Sequence, residues 1–294
     1  MGGEKKATIV EIGPRDGFQN VKEFIPTEIK SKVVHGLIQA GLTKIQLTSF
    51  ISPKAIPQMR DAAQLCDEFI SSFPNIDFSV LVPNAFGADR AVESGVKEIN
   101  YVISVSEEHN MSNVRRSVTD SFADLASVRE KYPDLIINLD ASMSFGCPFQ
   151  GEITCRQLDE YVKRAAEIGV DAVNLCDTIG VAVPSQVEDT LGRLFQSYPD
   201  MAFDIHIHDT RNMGILNSYV ALQYGVRSVQ TTLGGLGGCP FAPGASGNTA
   251  TEDLVYMLNK MEWKTNVDFE KLMDVARFLK HNVNGNFSGH QVDI

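Results

Sequence analysis

Short apolar runs alternate with longer amphipathic ones along the whole chain. Runs rich in Val, Ile and Phe, bounded by Gly, Pro, Asn or Asp, fall at 7–12, 44–50, 78–82, 99–105, 135–140, 172–176, 203–208 and 228–233. Such runs are strand chemistry. Between them lie stretches with helical spacing. Residues 28–40 place Ile29, Val33, Leu37 and Ile38 on one stripe, and 161–168, 185–196 and 217–223 read as helices too. After Asn248 the pattern is helical again, at 251–261 and 269–282. Gly41, Gly95, Gly169 and Gly225 stand just past helical stretches, where a left-handed residue closes a helix. Eight strand–helix alternations predict a closed parallel (β/α)8 barrel, the TIM barrel; five or six would favour the runner-up, an open doubly wound sheet. No linker divides the chain, so residues 1–294 are expected to form one barrel domain, with a helical C-terminal part from about residue 249. The last residues, 284–294, read as loose and polar, either frayed or folded over the site.

The charge balance narrows the classes of partner. A formal net charge of -11 offers nothing to neutralise a run of phosphates or to dock on an acidic bilayer. Nucleic acid and membrane are therefore not expected partners. No apolar run is long enough to span a bilayer, and the start runs straight into a strand without a signal core or an Arg-rich presequence. Cysteines at 66, 147, 155, 176 and 239 form no C-x-x-C pair and are odd in number. That argues against a disulfide framework or structural zinc, and a reducing cytoplasm is the expected setting.

The active sites of such barrels sit at the C-terminal ends of the strands. The first strand ends in Gly13-Pro14-Arg15-Asp16-Gly17, the seventh in His206-Ile207-His208-Asp209, and the eighth leads through a glycine loop to Gly247-Asn248. In a barrel these termini converge on one rim. His206 and His208, two apart on a strand, share a face. With the Asp16 carboxylate and the Asn248 amide oxygen they make a nitrogen–oxygen donor set for a divalent cation, Mg2+ or Mn2+ rather than tetrahedral zinc. Paired imidazoles at a strand end favour that reading over two histidines bonded to backbone carbonyls. Arg15 suits an enolate or carboxylate oxygen. Cys239, among glycines, suits proton transfer from a loop that moves. Asp209 is expected either behind the metal ligands or as a helix cap, and Asp177 either orients a histidine or caps the next segment. Cys66, Cys147, Cys155 and Cys176 read as packing or surface residues. The glycine loop fits neither the P-loop nor the dinucleotide pattern.

Separated blocks match one family in order: Val10-Glu11-Ile12-Gly13-Pro14-Arg15-Asp16-Gly17, Thr48-Ser49-Phe50, Ser52-Pro53-Lys54, Pro57-Gln58-Met59, Gly237-Gly238-Cys239-Pro240-Phe241-Ala242 and Gly244-Ala245-Ser246-Gly247-Asn248. The chain resembles the 3-hydroxy-3-methylglutaryl-CoA lyases nearly end to end. The resemblance implies a divalent metal on Asp16, His206 and His208 with Asn248 close by. It implies Arg15 at the reacting acyl oxygen, Cys239 on a mobile catalytic loop, an acyl-CoA thioester as substrate and a homodimer. The implied reaction splits the thioester into acetyl-CoA and acetoacetate, with His206 on the base side of the proton transfers.

Three positions depart from the family pattern: Gln46 where glutamate is usual, Asp140 two residues before Ser142 where tyrosine is usual, and Asn174 where serine is usual. They are expected to face the barrel mouth and line the substrate. Gln46 removes a charge, and Asp140 is the candidate to replace it. A shifted preference among 3-hydroxyacyl-CoA substrates follows, with weak cleavage of the parent thioester and a gain on Gln46→Glu unless Asp140 clashes with the restored charge. Two alternatives stand beside the lyase. One is a Claisen-type synthase joining acetyl-CoA to a 2-oxo acid, for which the chain is short; the other is a non-catalytic barrel that binds an acyl-CoA.

Overall fold

The computed structural model describes residues 5–238 and 247–294. Eight parallel strands close on themselves in sequence order: β1 Ile9–Glu11, β2 Lys44–Ser49, β3 Asp77–Val82, β4 Glu98–Ser104, β5 Ile136–Ser142, β6 Ala172–Asp177, β7 Ala202–Ile207 and β8 Val229–Thr231. Closure comes from β1 pairing with β8, Val10 opposite Gln230 and Glu11 opposite Thr231. The helices are α1 Thr27–Gln39, α2 Ala62–Phe69, α3 Ala85–Glu93, α4 Glu107–Val114, α5 Val118–Lys131, α6 Cys155–Ile168, α7 Pro184–Ser197, α8 Gly214–Tyr224, α9 Thr251–Lys260 and α10 Phe269–Asn282. The barrel expectation therefore holds, and the open sheet is excluded.

Local chemistry explains the element ends. Thr154 and Gln157 form a reciprocal capping box at the start of α6, and Gly169 closes it at φ 80°. Between them Leu158, Tyr161, Val162 and Ala165 give the buried stripe at helical spacing. On α1 the stripe centres on Val33, Val34 and Leu37, with Ile29 and Ile38 only partly buried at its edges. The first and last strands, β1 and β8, are shorter than their apolar runs. Ile12 already turns the chain into the wide π-type turn Gly13–Gly17, and Leu233 starts a tight turn at Gly234. The four helices α2 to α5 were not bounded by the periodicity reading; α3, α4 and α5 are capped by Asn84, Ser106 and Ser117.

The lower barrel is polar where branched apolar layers are usual. Arg227 donates to both Asp204 and Asn138, the latter at 2.9 Å, and Asn138 donates to Glu98 at 2.6 Å. These groups close the bottom around a cavity of about 10 Å³, room for roughly one water. The tail is not frayed. Phe287 packs against Gly234, the Ser288 and Gly289 amides donate to the Gly234 carbonyl at 3.1 and 2.9 Å, and the His290 and Gln291 amides donate to Asp253. It thus lies on the root of the glycine loop. No described helix is long and apolar enough to cross a membrane.

Candidate metal centre and barrel mouth

Asp16, His206 and His208 come together at the C-terminal rim, all buried, with one donor atom from each lying within 4.8 Å of the others. Strand alternation puts both histidines on the inner face, their ring centroids 5.1 Å apart. The turn Gly13–Gly17 swings Asp16 in from β1. Asn248 links the set: its Nδ2 donates to Asp16 Oδ2 at 2.7 Å, and its Oδ1 lies 2.6 Å from His206 Nε2. A backbone bridge between His208 and Asn248 fixes that approach.

The electrostatics prepare the same groups as ligands. Burial pushes the Asp16 carboxyl up, but Arg15, His206 and His208 more than offset it and hold it at about 2. Burial, with His206 beside it, brings the His208 imidazole down to about 4, so it is neutral near pH 7. Its Nδ1 is buried without a hydrogen-bond partner. An ionised carboxylate, two imidazoles and an amide oxygen around one point fit a divalent cation.

Arg15 lies beside this centre. Its Nη1 donates to Asp16 Oδ1 and its Nε to Gln46 Oε1. Gln46 is fully buried on β2, where the register against β3 slips between Gln46 and Thr48. Such bulges re-aim side chains beside active sites. Asp140, opposite Asn174 in the sheet, accepts from Asn100 Nδ2 at 2.9 Å and Asn174 Nδ2 at 3.0 Å. Burial raises its carboxyl, and Arg15 opposes that rise. Ser142 follows on the same strand face as Asp140. The Asp177 carboxylate accepts from the Val181 and Ala182 amides, both at 2.9 Å, so it caps its own loop rather than orienting a histidine. Asp209 accepts from the Gly214 amide at 2.6 Å, capping α8. Cys66 and Cys147 are buried packing residues, and Cys155 is exposed at the start of α6. Buried Cys176 has its thiol pushed far up, chiefly by burial. Cys239 lies outside the described residues.

Four residues of this region had escaped the sequence reading. Gln19 donates to Asp16 Oδ1 at 3.2 Å and Asn20 to the Asp16 carbonyl at 2.9 Å, three and four positions after Asp16, a helical spacing that could have flagged them. Glu11 accepts from the Gly13 and Leu233 amides and from Thr251, and Glu252 accepts from the Gly234 amide at 2.8 Å. The two buried acids hold the root of the glycine loop from below. Glu11 was readable as a charge inside an apolar strand.

The HMGL-like family model matches residues 6–279. The chain belongs to this family. It is 40% identical over 282 residues to the mitochondrial hydroxymethylglutaryl-CoA lyase of Mus musculus, covering 95% of this chain and 86% of that protein. The crystal structure of the Bacillus subtilis HMG-CoA lyase superposes with a TM-score of 0.94 at 38% identity, covering 100% of this chain and 99% of that one. An Acinetobacter baumannii HMG-CoA lyase in complex with coenzyme A and 3-methylmalate gives 0.93 at 34% identity, covering 100% and 96%. The chain is a carbon–carbon lyase, which displaces the non-catalytic alternative.

Proposed function

We propose that this lyase cleaves 3-hydroxy-3-methylglutaryl-CoA to acetyl-CoA and acetoacetate, with a divalent cation, Mg2+ or Mn2+, on Asp16, His206, His208 and Asn248. The observation that carries the reading is the convergence of those donors beside Arg15 at the mouth of the barrel. Two nitrogens and two oxygens with further positions open suit a six-coordinate ion. Bound there, the ion supplies Lewis-acid polarisation of the substrate oxygens.

The chain's own residues do the rest. Asp16, held ionised, fixes the Arg15 guanidinium at the acyl oxygen. His206 marks the base side of the site, where the proton of the tertiary hydroxyl leaves to water. Cys239, carried on the glycine loop, returns a proton to carbon. Gln46, Asp140, Ser142 and Asn174 line the substrate. The preference between the parent thioester and another 3-hydroxyacyl-CoA turns on those lining residues.

A cytoplasmic homodimer completes the reading. Unpaired cysteines support a reducing compartment, and exposed Leu216 and Tyr224 on α8 support pairing with a second copy. Purified protein with Mg2+ should release acetyl-CoA from the thioester and fail to condense acetyl-CoA with a panel of 2-oxo acids. Condensation without cleavage would instead support the synthase reading. Light scattering should give twice the chain mass.

A further inference from the structure

The amide of Gln46 is oriented by its partner. Arg15 has only donors, so the atom facing its Nε must be the Gln46 oxygen. That leaves Gln46 Nε2, a donor in a fully buried side chain, without a hydrogen-bond partner. The hydrogen bonds of Arg15 use Nε and Nη1 and leave Nη2. An amide nitrogen sits about 2.2 Å from its own oxygen by ordinary covalent geometry, so Gln46 Nε2 borders the same edge of the guanidinium. A buried donor left free beside a cation suits an oxygen that gains negative charge.

We propose that Gln46 is a catalytic residue: its Nε2, together with Arg15, donates to the thioester oxygen as that oxygen becomes an enolate oxygen. The inference rests on the thioester-lyase reading above. In the step concerned, the C2–C3 bond breaks and its electron pair passes through C2 to the thioester oxygen. The hydroxyl O–H bond breaks too; its proton passes to water on the His206 side of the site and its electron pair becomes the C3=O bond. The enolate then takes a proton at C2 from Cys239. Nothing is oxidised or reduced.

The proposal also explains why an amide suits this mouth. Asp16 already pairs with Arg15, and Asp140 is a second buried carboxylate within its field. A glutamate at 46 would add a third, and would face the developing oxyanion with a lone pair where the amide offers a hydrogen.

The test separates donation from the mere holding of Arg15. Gln46→Glu keeps an oxygen for Arg15 Nε and removes the donor; Gln46→Met removes both. The readout is exchange of the acetyl-CoA methyl protons in D2O, followed by NMR on Mg2+-loaded protein, with kcat for thioester cleavage alongside. Enolate formation requires no C–C bond, so exchange stands apart from the identity of the cleaved substrate. Loss of one oxyanion donor costs about 10²–10³-fold, and both rates should fall by at least the lower figure in Gln46→Glu, with metal content unchanged. Adding Asp140→Asn to Gln46→Glu resets the charge without restoring the donor, so exchange should stay low. Natural or faster exchange in Gln46→Glu, full recovery in the double variant, or no exchange by the natural protein would each overturn the proposal. Variant-sensitive exchange without cleavage of 3-hydroxy-3-methylglutaryl-CoA would overturn the substrate reading and leave the donor in place.

Discussion

Replacing Glu252 by glutamine should change how stability depends on pH. Glu252 is fully buried beneath the glycine loop and accepts from the Gly234 amide. Burial raises its carboxyl from 4.5 to about 8, against the pull of that hydrogen bond. A carboxyl raised in the folded state keeps its proton after the unfolded chain has lost it, so stability falls as pH rises towards the folded value and then levels. The clean window starts at 6.5, the ordinary imidazole value, because buried His208, lowered to about 4, works in the opposite direction below it. From there to about pH 9, Glu252 alone should remove roughly 2 kcal/mol. Glu11, raised to about 7, adds a smaller loss of the same sign. Glutamine keeps an acceptor for Gly234 but buries an amide nitrogen where Oε1 has no partner, at about 1–3 kcal/mol. Glu252→Gln should therefore lose less stability between pH 6.5 and about pH 9, and be the more stable protein at the upper end. Urea unfolding across this window, read by the fluorescence of buried Trp263, the only tryptophan, measures both curves. Parallel curves would refute the reasoning, as would a natural protein whose stability rises over the window.

Three further outcomes follow from the site. His208→Ala should lose metal and activity together, whereas full occupancy in the His206→Ala, His208→Ala double variant would remove the cation assignment. Cys239→Ser should lower turnover by about 10²-fold with metal content unchanged if the thiol transfers the proton; near-normal turnover would make it a packing residue. Truncation after Val283 removes the amides that hold the Gly234 carbonyl. It should lower kcat far more than Tm, and an unchanged kcat would show that the tail does not position the loop.

The barrel and its rim were legible because both rest on short-range periodicity. Eight apolar runs named the strands within a few residues, and two-residue spacing put His206 and His208 on one face. Gly169 and Gly225 marked helix ends because only a residue at ease with positive φ closes them that way. What depends on long-range packing was not legible. Lys30 sits in the polar half of the α1 pattern, yet it is buried and bonded to Asp61 at 2.8 Å. Glu252 lies in an ordinary acidic first turn of α9, and only barrel closure brings it under Gly234. Gln46 shows the same limit. As a sequence it read as a missing charge, with a gain expected on Gln46→Glu unless Asp140 clashed with the restored charge. The structure places Asp16 on Arg15 and Asp140 within reach of its field. A restored carboxylate is then a surplus, which is the clash that expectation excepted, and a loss on Gln46→Glu is predicted.

The most direct test of the central claim follows both products of one substrate. Metal-loaded protein is given 3-hydroxy-3-methylglutaryl-CoA labelled at C2, and acetyl-CoA and acetoacetate are counted by NMR with and without prior removal of the cation. Equimolar products, the label entirely in the acetyl methyl group and loss of turnover on chelation are the expected result. Label in acetoacetate, or turnover that survives complete removal of the metal, would contradict the account.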